Sequence, residues 1–215
     1  MTLPDHIVKV LDPKQTAVLV IDMQRAYCDR NAVLARNLGF NTTPIEEMIP
    51  ILDGFISEAR KYVPIVWTRA IEDPALVQEN ARVKMQAEGT PAISTPGKPS
   101  FEYYGIKPES GDKEIIKELY DAFENPDLQK YLEGHGVRTL VFTGVYRSRC
   151  VDTTLRTAFR ENYHIVLPED LVAAPKDPDG DFEVERKATI SIVKSLFGYV
   201  VTSQDILSAW ASYQK

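Results

Sequence analysis

Cysteine and histidine are scarce in this chain, with two and three copies in 215 residues. Two cysteines are too few for a disulfide framework, and a reducing compartment leaves both Cys28 and Cys150 as thiols. His6, His135 and His164 are far apart and lack ligand spacing, so no metal and no cofactor is expected. No stretch approaches the ~18 consecutive apolar residues of a membrane span. Met1-Thr-Leu-Pro-Asp-His6 has no basic region followed by an apolar run, which predicts a cytoplasmic location. Basic charge is also in deficit: the formal net charge is −6, which argues against nucleic acid or an anionic membrane as the main partner and favours a small-molecule substrate.

What is present is enough for one core. At 44% hydrophobic, residues 1–215 read as a single domain. Short apolar runs alternate with amphipathic stretches. Thr16-Ala-Val-Leu-Val-Ile21 has the near-continuous apolar character of a strand covered on both faces, and Val63-Pro-Ile-Val-Trp-Thr68 is similar. Between them, 44–61 reads as a helix, with Thr43 as N-cap and Glu46 completing a capping box. Further strands are predicted at 114–117, 139–143, 164–167 and 199–202, and helices at 127–133, 151–162 and 184–196, with a closing helix from a Ser203 cap through Trp210. This alternation predicts an α/β fold of three layers: a six-stranded, largely parallel sheet with helices on both faces. The segment 71–110, with Pro74, Pro91, Pro96, Pro99 and Pro108, reads as a long variable loop over the sheet edge. Such a loop either sets substrate choice or is only solvated surface.

Three residues fall where such a sheet places its chemistry. Asp22 follows the first strand, Lys117 closes the third, and Cys150 lies where the fourth turns through Gly144 into a helix beginning near Arg149. A thiol at a helix N-terminus has its pKa lowered by the dipole and by unpaired N–H groups, which marks Cys150 as a candidate nucleophile. Singly, each residue has a plainer explanation: a small buried hydrophobe, a turn residue, a solvated strand end. Together, a carboxylate, an ammonium and a thiol in one crevice can carry out acyl transfer.

These residues sit in motifs that resemble the isochorismatase-like cysteine hydrolases. The matching stretches are Val20-Ile-Asp-Met-Gln24, Lys117-Glu-Leu-Tyr-Asp-Ala-Phe123 with Pro126-Asp-Leu128, and Gly144-Val145 leading to Cys150-Val-Asp-Thr-Thr154. Leu167-Pro-Glu-Asp170 and Phe197-Gly-Tyr-Val200 follow in order, so the resemblance runs from about residue 14 to the end. It implies a catalytic triad of Asp22, Lys117 and Cys150, a homodimer or homotetramer, and a cis peptide between Val145 and Tyr146. It also implies an oxyanion hole from the backbone N–H groups of Tyr146 and Cys150. True isochorismatases cleave a vinyl ether without a cysteine nucleophile, so Cys150 points to the amidohydrolase branch. Nicotinamidases of this family carry an Asp and two His as metal ligands after the second strand, whereas Thr68-Arg-Ala-Ile-Glu-Asp-Pro74 has no histidine. The run from Tyr27 to Phe40 resembles the ureidoacrylate amidohydrolase subgroup, which implies ureido or N-carbamoyl substrates.

The chain departs from many relatives after Gly144-Val145, where it reads Tyr146-Arg-Ser-Arg149. A guanidinium beside the nucleophile can hold a substrate carboxylate by paired hydrogen bonds. That role is expected of Arg147, and a structural one of Arg149. Tyr27, Trp67, Tyr120 and Phe123 are further candidates for substrate contact, although aromatics near sheets are more often core. Other readings remain open at this level: hydrolysis of another small substrate, a thiol redox sensor, or an interaction protein on the same fold.

Overall fold

The apolar runs assemble into one parallel sheet. In the computed structural model, which describes residues 3–213, its strands are β1 (Thr16–Ile21), β2 (Ile65–Ile71), β3 (Lys113–Glu118), β4 (Thr139–Val145), β5 (His164–Pro168), β6 (Val172–Ala173) and β7 (Gly198–Val201). The order is β3-β2-β1-β4-β5-β7, with the two-residue β6 beside β4, so the six expected strands form the main path and β6 is a seventh. Every pairing is parallel, and every residue of the central strands β1 and β4 is buried.

The helices are α1 (Asp5–Val10), α2 (Arg25–Cys28), α3 (Val33–Leu38), α4 (Thr43–Ala59), α5 (Glu79–Ala87), α6 (Pro126–Gly134), α7 (Asp152–Arg160), α8 (Phe182–Ile192) and α9 (Ser203–Ser212). Strand alternation sends Val18, Val20 and Trp67 to one face, where α4 and α9 cover them with Leu52, Phe55, Ile56 and Trp210. Ala17, Leu19 and Phe142 go to the other face, against Leu128 and Leu132 of α6 and Leu155 of α7. The Trp210 indole N–H donates to the Leu11 carbonyl at 2.9 Å, fastening the closing helix to the start of the chain.

Several local expectations need correction. Residue Thr42, not Thr43, is the N-cap of α4, and its hydroxyl donates to Glu46 instead of capping a backbone N–H. The closing helix is capped by Thr202, whose capping-box partner is Asp205, while the Ser203 hydroxyl donates to Asp170. The segment 71–110 is not wholly loop: it carries α5 and a single 3-10 turn at Pro99–Phe101, and it is pinned by bridges from Glu72 to Ser94 and from Gln24 to Tyr103. A π-turn, Arg147–Val151, stands between β4 and α7, and another, Val193–Phe197, follows α8.

One glycine is required by close packing. Gly144 has φ +97, and a Cβ there would lie 2.2 Å from the Ile21 carbonyl oxygen. Any side chain would push β4 off β1 just before the chain reaches Asp22 and Cys150.

Candidate active site

Adjacent strands end at the same level, and that brings their last side chains together. Asp22 leaves β1 with φ 51, a left-handed conformation for a non-glycine residue. Its carboxylate is fully buried, and Oδ1 accepts a 2.6 Å hydrogen bond from the Thr68 hydroxyl of β2. Lys117 of β3 is 2% exposed, and its ammonium lies 2.8 Å from Asp22 Oδ2. Oδ2 has no hydrogen-bond partner besides this ion pair, so a lone pair stays free in the buried site. Leu119, also at positive φ (50), turns its carbonyl inward to accept a hydrogen bond from Lys117 Nζ, and the same carbonyl lies 3.9 Å from Cys150 Sγ. Both Asp22 and Lys117 are close enough to the thiol to act on its charge.

Electrostatics correct one expectation. Cys150 sits in the π-turn and is 8% exposed, and burial pushes its thiol up; Lys117 opposes this, while Asp22 and Glu72 add to it. The resting group is a thiol with a carboxylate beside it, not the low-pKa thiolate expected of a helix N-terminus. Burial also pulls the Lys117 ammonium down, but the neighbouring Asp22 and Cys150 outweigh it and hold the group above the ordinary lysine value, so it is charged.

Other predicted residues divide. Tyr146 is buried, its preceding peptide is cis, and its hydroxyl donates to the Tyr27 carbonyl at 3.0 Å. The Tyr27 ring meets Tyr146 edge-on at 5.8 Å, and its hydroxyl donates to Glu72 at 3.1 Å. Tyr120 lines a cavity of about 430 Å³ together with Glu72, Leu119 and Thr153. Three candidates lie elsewhere. Trp67 precedes Thr68, so strand alternation turns it to the opposite face, where its indole donates to Asp112 at 2.9 Å. Phe123 packs against Tyr163, with ring centroids 5.8 Å apart. Arg147 is 2% exposed, donates to Glu185 at 2.5 Å and lies over the Phe182 ring, so its charge is already committed to α8.

Glu72 and Arg149 border cavities that sequence reasoning did not place them on. Glu72, just past the end of β2, borders both the larger cavity and a second one of about 320 Å³. Burial pushes its carboxyl up, although Tyr27, Arg149 and Lys117 pull the other way. An acid at the carboxyl end of a parallel strand was the available signal. Arg149 is exposed and lines the second cavity. Among the described residues, no group of three His, Cys, Asp or Glu side chains is arranged to hold a metal, and no helix is long and apolar enough to cross a membrane.

The relatives agree with this architecture. Ureidoacrylate amidohydrolase RutB of Methylobacterium radiotolerans is 31% identical over 206 residues, spanning 88% of this chain and 77% of that protein. Among solved structures, a cysteine hydrolase from Pseudomonas syringae pv. phaseolicola superposes with a TM-score of 0.75 at 23% identity, covering 93% of this chain and 94% of the other. N-carbamoylsarcosine amidase from Thermoplasma acidophilum gives a TM-score of 0.68 at 22% identity over 88% and 96% of the two chains. These two share the fold. The Isochorismatase domain matches residues 16–205, nearly the whole sheet with its helices, and the chain belongs to the isochorismatase family.

Proposed function

We propose that this protein is a cysteine-dependent amidohydrolase that cleaves a C–N bond of a small linear amide or ureido compound through a thioester. The observation that carries this reading is the buried cluster of Asp22, Lys117 and Cys150 at the ends of β1, β3 and β4. Its kinship with ureidoacrylate amidohydrolases supports the choice of bond. Because the thiol rests protonated, it needs a base at the moment of attack, and the free lone pair of Asp22 Oδ2 is that base. Sγ attacks the carbonyl carbon as its proton passes to Asp22. The oxyanion is met by the N–H groups of Tyr146 and Cys150, where losing one donor costs about 10²–10³ in rate. Lys117 holds the Asp22 carboxylate in place through the ion pair. Asp22 then returns the proton to the leaving nitrogen, the C–N bond breaks, and ammonia or an amine departs. Water, deprotonated by the same carboxylate, attacks the thioester; the C–S bond breaks, and acid and free thiol are restored.

Ammonia release from ureido acids, biuret, monoamides of dicarboxylic acids and nicotinamide is the test, with intact mass measured during turnover. The expected result is turnover of one class, a transient acyl adduct on Cys150, and neither in Cys150→Ala. Undiminished turnover in that variant would remove the nucleophile from the mechanism. We also propose a cytoplasmic homodimer or homotetramer, for which sedimentation should give two or four times the 24.2 kDa of the chain.

A further inference from the structure

Two arginines flank Ser148 in the π-turn, and their surroundings are opposite. Arg147 is buried against Glu185 and the Val172 carbonyl. Arg149 is exposed, and no ion pair among the described residues includes it. It is nevertheless held: its guanidinium lies over the Tyr146 ring at 5.4 Å and the Phe40 ring at 5.7 Å, and cation–π contact with two rings restrains a side chain that would otherwise sweep through solvent. In a chain of net charge −6, a restrained arginine in no ion pair, one residue from the nucleophile, is open to an incoming anion.

Arg149 lines two cavities; one is walled by Asp177, Asp181 and Glu185 and disfavours an anion, and the other defines it. Its volume is about 320 Å³, with Leu34, Leu38 and Ile93 on the apolar part of the lining and Glu72 as well as Arg149 among the charged groups. Resting on the amidohydrolase reading, we propose that Arg149 is the specificity-determining residue that anchors a carboxylate on the substrate. The substrate class is then a short N-carbamoyl or ureido acid: its carbonyl meets Cys150, its apolar carbons lie along Leu34 and Ile93, and its carboxylate pairs with the guanidinium. Glu72 reinforces the direction, because a carboxylate turned towards it is repelled and one turned towards Arg149 is attracted. The larger cavity has a lysine too, but Lys84 is paired with Glu88 at 2.8 Å.

The test is the ratio of kcat/KM for an N-carbamoyl amino acid to that for its neutral carboxamide, measured in the wild type, Arg149→Met and Arg149→Lys. Methionine keeps the length and removes the charge. The ratio is expected to fall about 10- to 100-fold in Arg149→Met, the worth of a charge-assisted hydrogen bond, mostly through KM, and to recover in part with lysine. Circular dichroism and the melting temperature identify a variant that has merely misfolded, in which case Arg149→Lys alone decides, by a several-fold drop in the same ratio. An unchanged ratio in folded variants would assign the guanidinium elsewhere while leaving the thioester mechanism intact. Turnover of biuret, a neutral amide or nicotinamide but not of the N-carbamoyl acid by the wild type overturns this assignment alone, and silence across that whole panel overturns the amidohydrolase reading with it.

Discussion

A thiol that is buried beside a carboxylate behaves differently from one exposed at a helix end. Burial holds Cys150 protonated in the free enzyme, with Lys117 opposing but not reversing the effect. Alkylation by iodoacetamide should therefore keep accelerating up to about pH 9–10, beyond the ordinary thiol value of about 8.5. A rate that levels off below pH 7 would mean a preformed thiolate, the state a redox sensor needs, and would remove the requirement for Asp22 as base. Removing that base in Asp22→Asn should lower kcat by about 10²–10⁴, the usual worth of general-base catalysis. Glu72 provides a separate test at this scale. Its carboxyl is raised by burial, so the folded state holds that proton more tightly than the unfolded chain does, and the ionised form destabilises the fold. The cost is absent below the unfolded glutamate pKa of about 4.3 and complete once pH exceeds the higher folded value. Glu72→Gln, whose amide oxygen can still accept from Tyr27, should therefore melt higher than wild type at pH 7 and match it near pH 4; a destabilised variant at pH 7 would show that the ionised carboxylate is net favourable.

At the scale of elements, the positions that matter are where strands stop and helices start. Gly144→Ala would place its Cβ 2.2 Å from the Ile21 carbonyl at φ +97, so both contact and backbone conformation oppose it. A loss of several kcal/mol is expected, in the class of exceptional single substitutions, read as insoluble expression or a collapsed melting temperature. A fully stable Gly144→Ala would mean that β4 can separate from β1 without harm. The closing helix offers a milder comparison. Thr202 accepts from the Asp205 N–H while Asp205 accepts from the Thr202 N–H, so Thr202→Ala should cost about 1 kcal/mol in chemical denaturation. For Thr202, sequence favours the neighbouring serine equally, since both are good capping residues. The choice is made by Asp170, which occupies the Ser203 hydroxyl from the end of β5 and leaves Thr202 to the helix.

For the whole molecule, the sheet was legible because its central strands are apolar throughout, and the candidate cluster because strand ends carry Asp22, Lys117 and Cys150 to one level. What sequence could not convey was direction. The turn from Arg147 to Val151 is a π-turn, whose angular step differs from that of an α-helix, so nothing local says that Arg147 turns to Glu185 and Arg149 to the cavity. Glu72 looks like a solvated acid until Tyr27, 45 places before it in the chain, is folded against it. Trp67 is different: alternation with Thr68 already placed it on the wrong face. The same long-range assembly makes the Asp22–Lys117 ion pair a brace, since it ties β1 to β3 across the intervening β2. Both side chains are buried, so removing one leaves the other as an uncompensated charge. Lys117→Met should lower unfolding free energy by about 3–5 kcal/mol, and Asp22→Asn with Lys117→Met should regain part of it. The sign with pH follows from the raised Lys117 value: its contribution is complete below the unfolded lysine pKa of about 10.4 and is lost as pH rises through the still higher folded one. Urea denaturation should therefore give a constant gap between wild type and Lys117→Met from pH 7 to 9 that closes only above pH 10.5 or so. A gap that closes by pH 9 would mean that Lys117 gives up its proton easily, and that an ammonium is not what braces Asp22 beside the thiol.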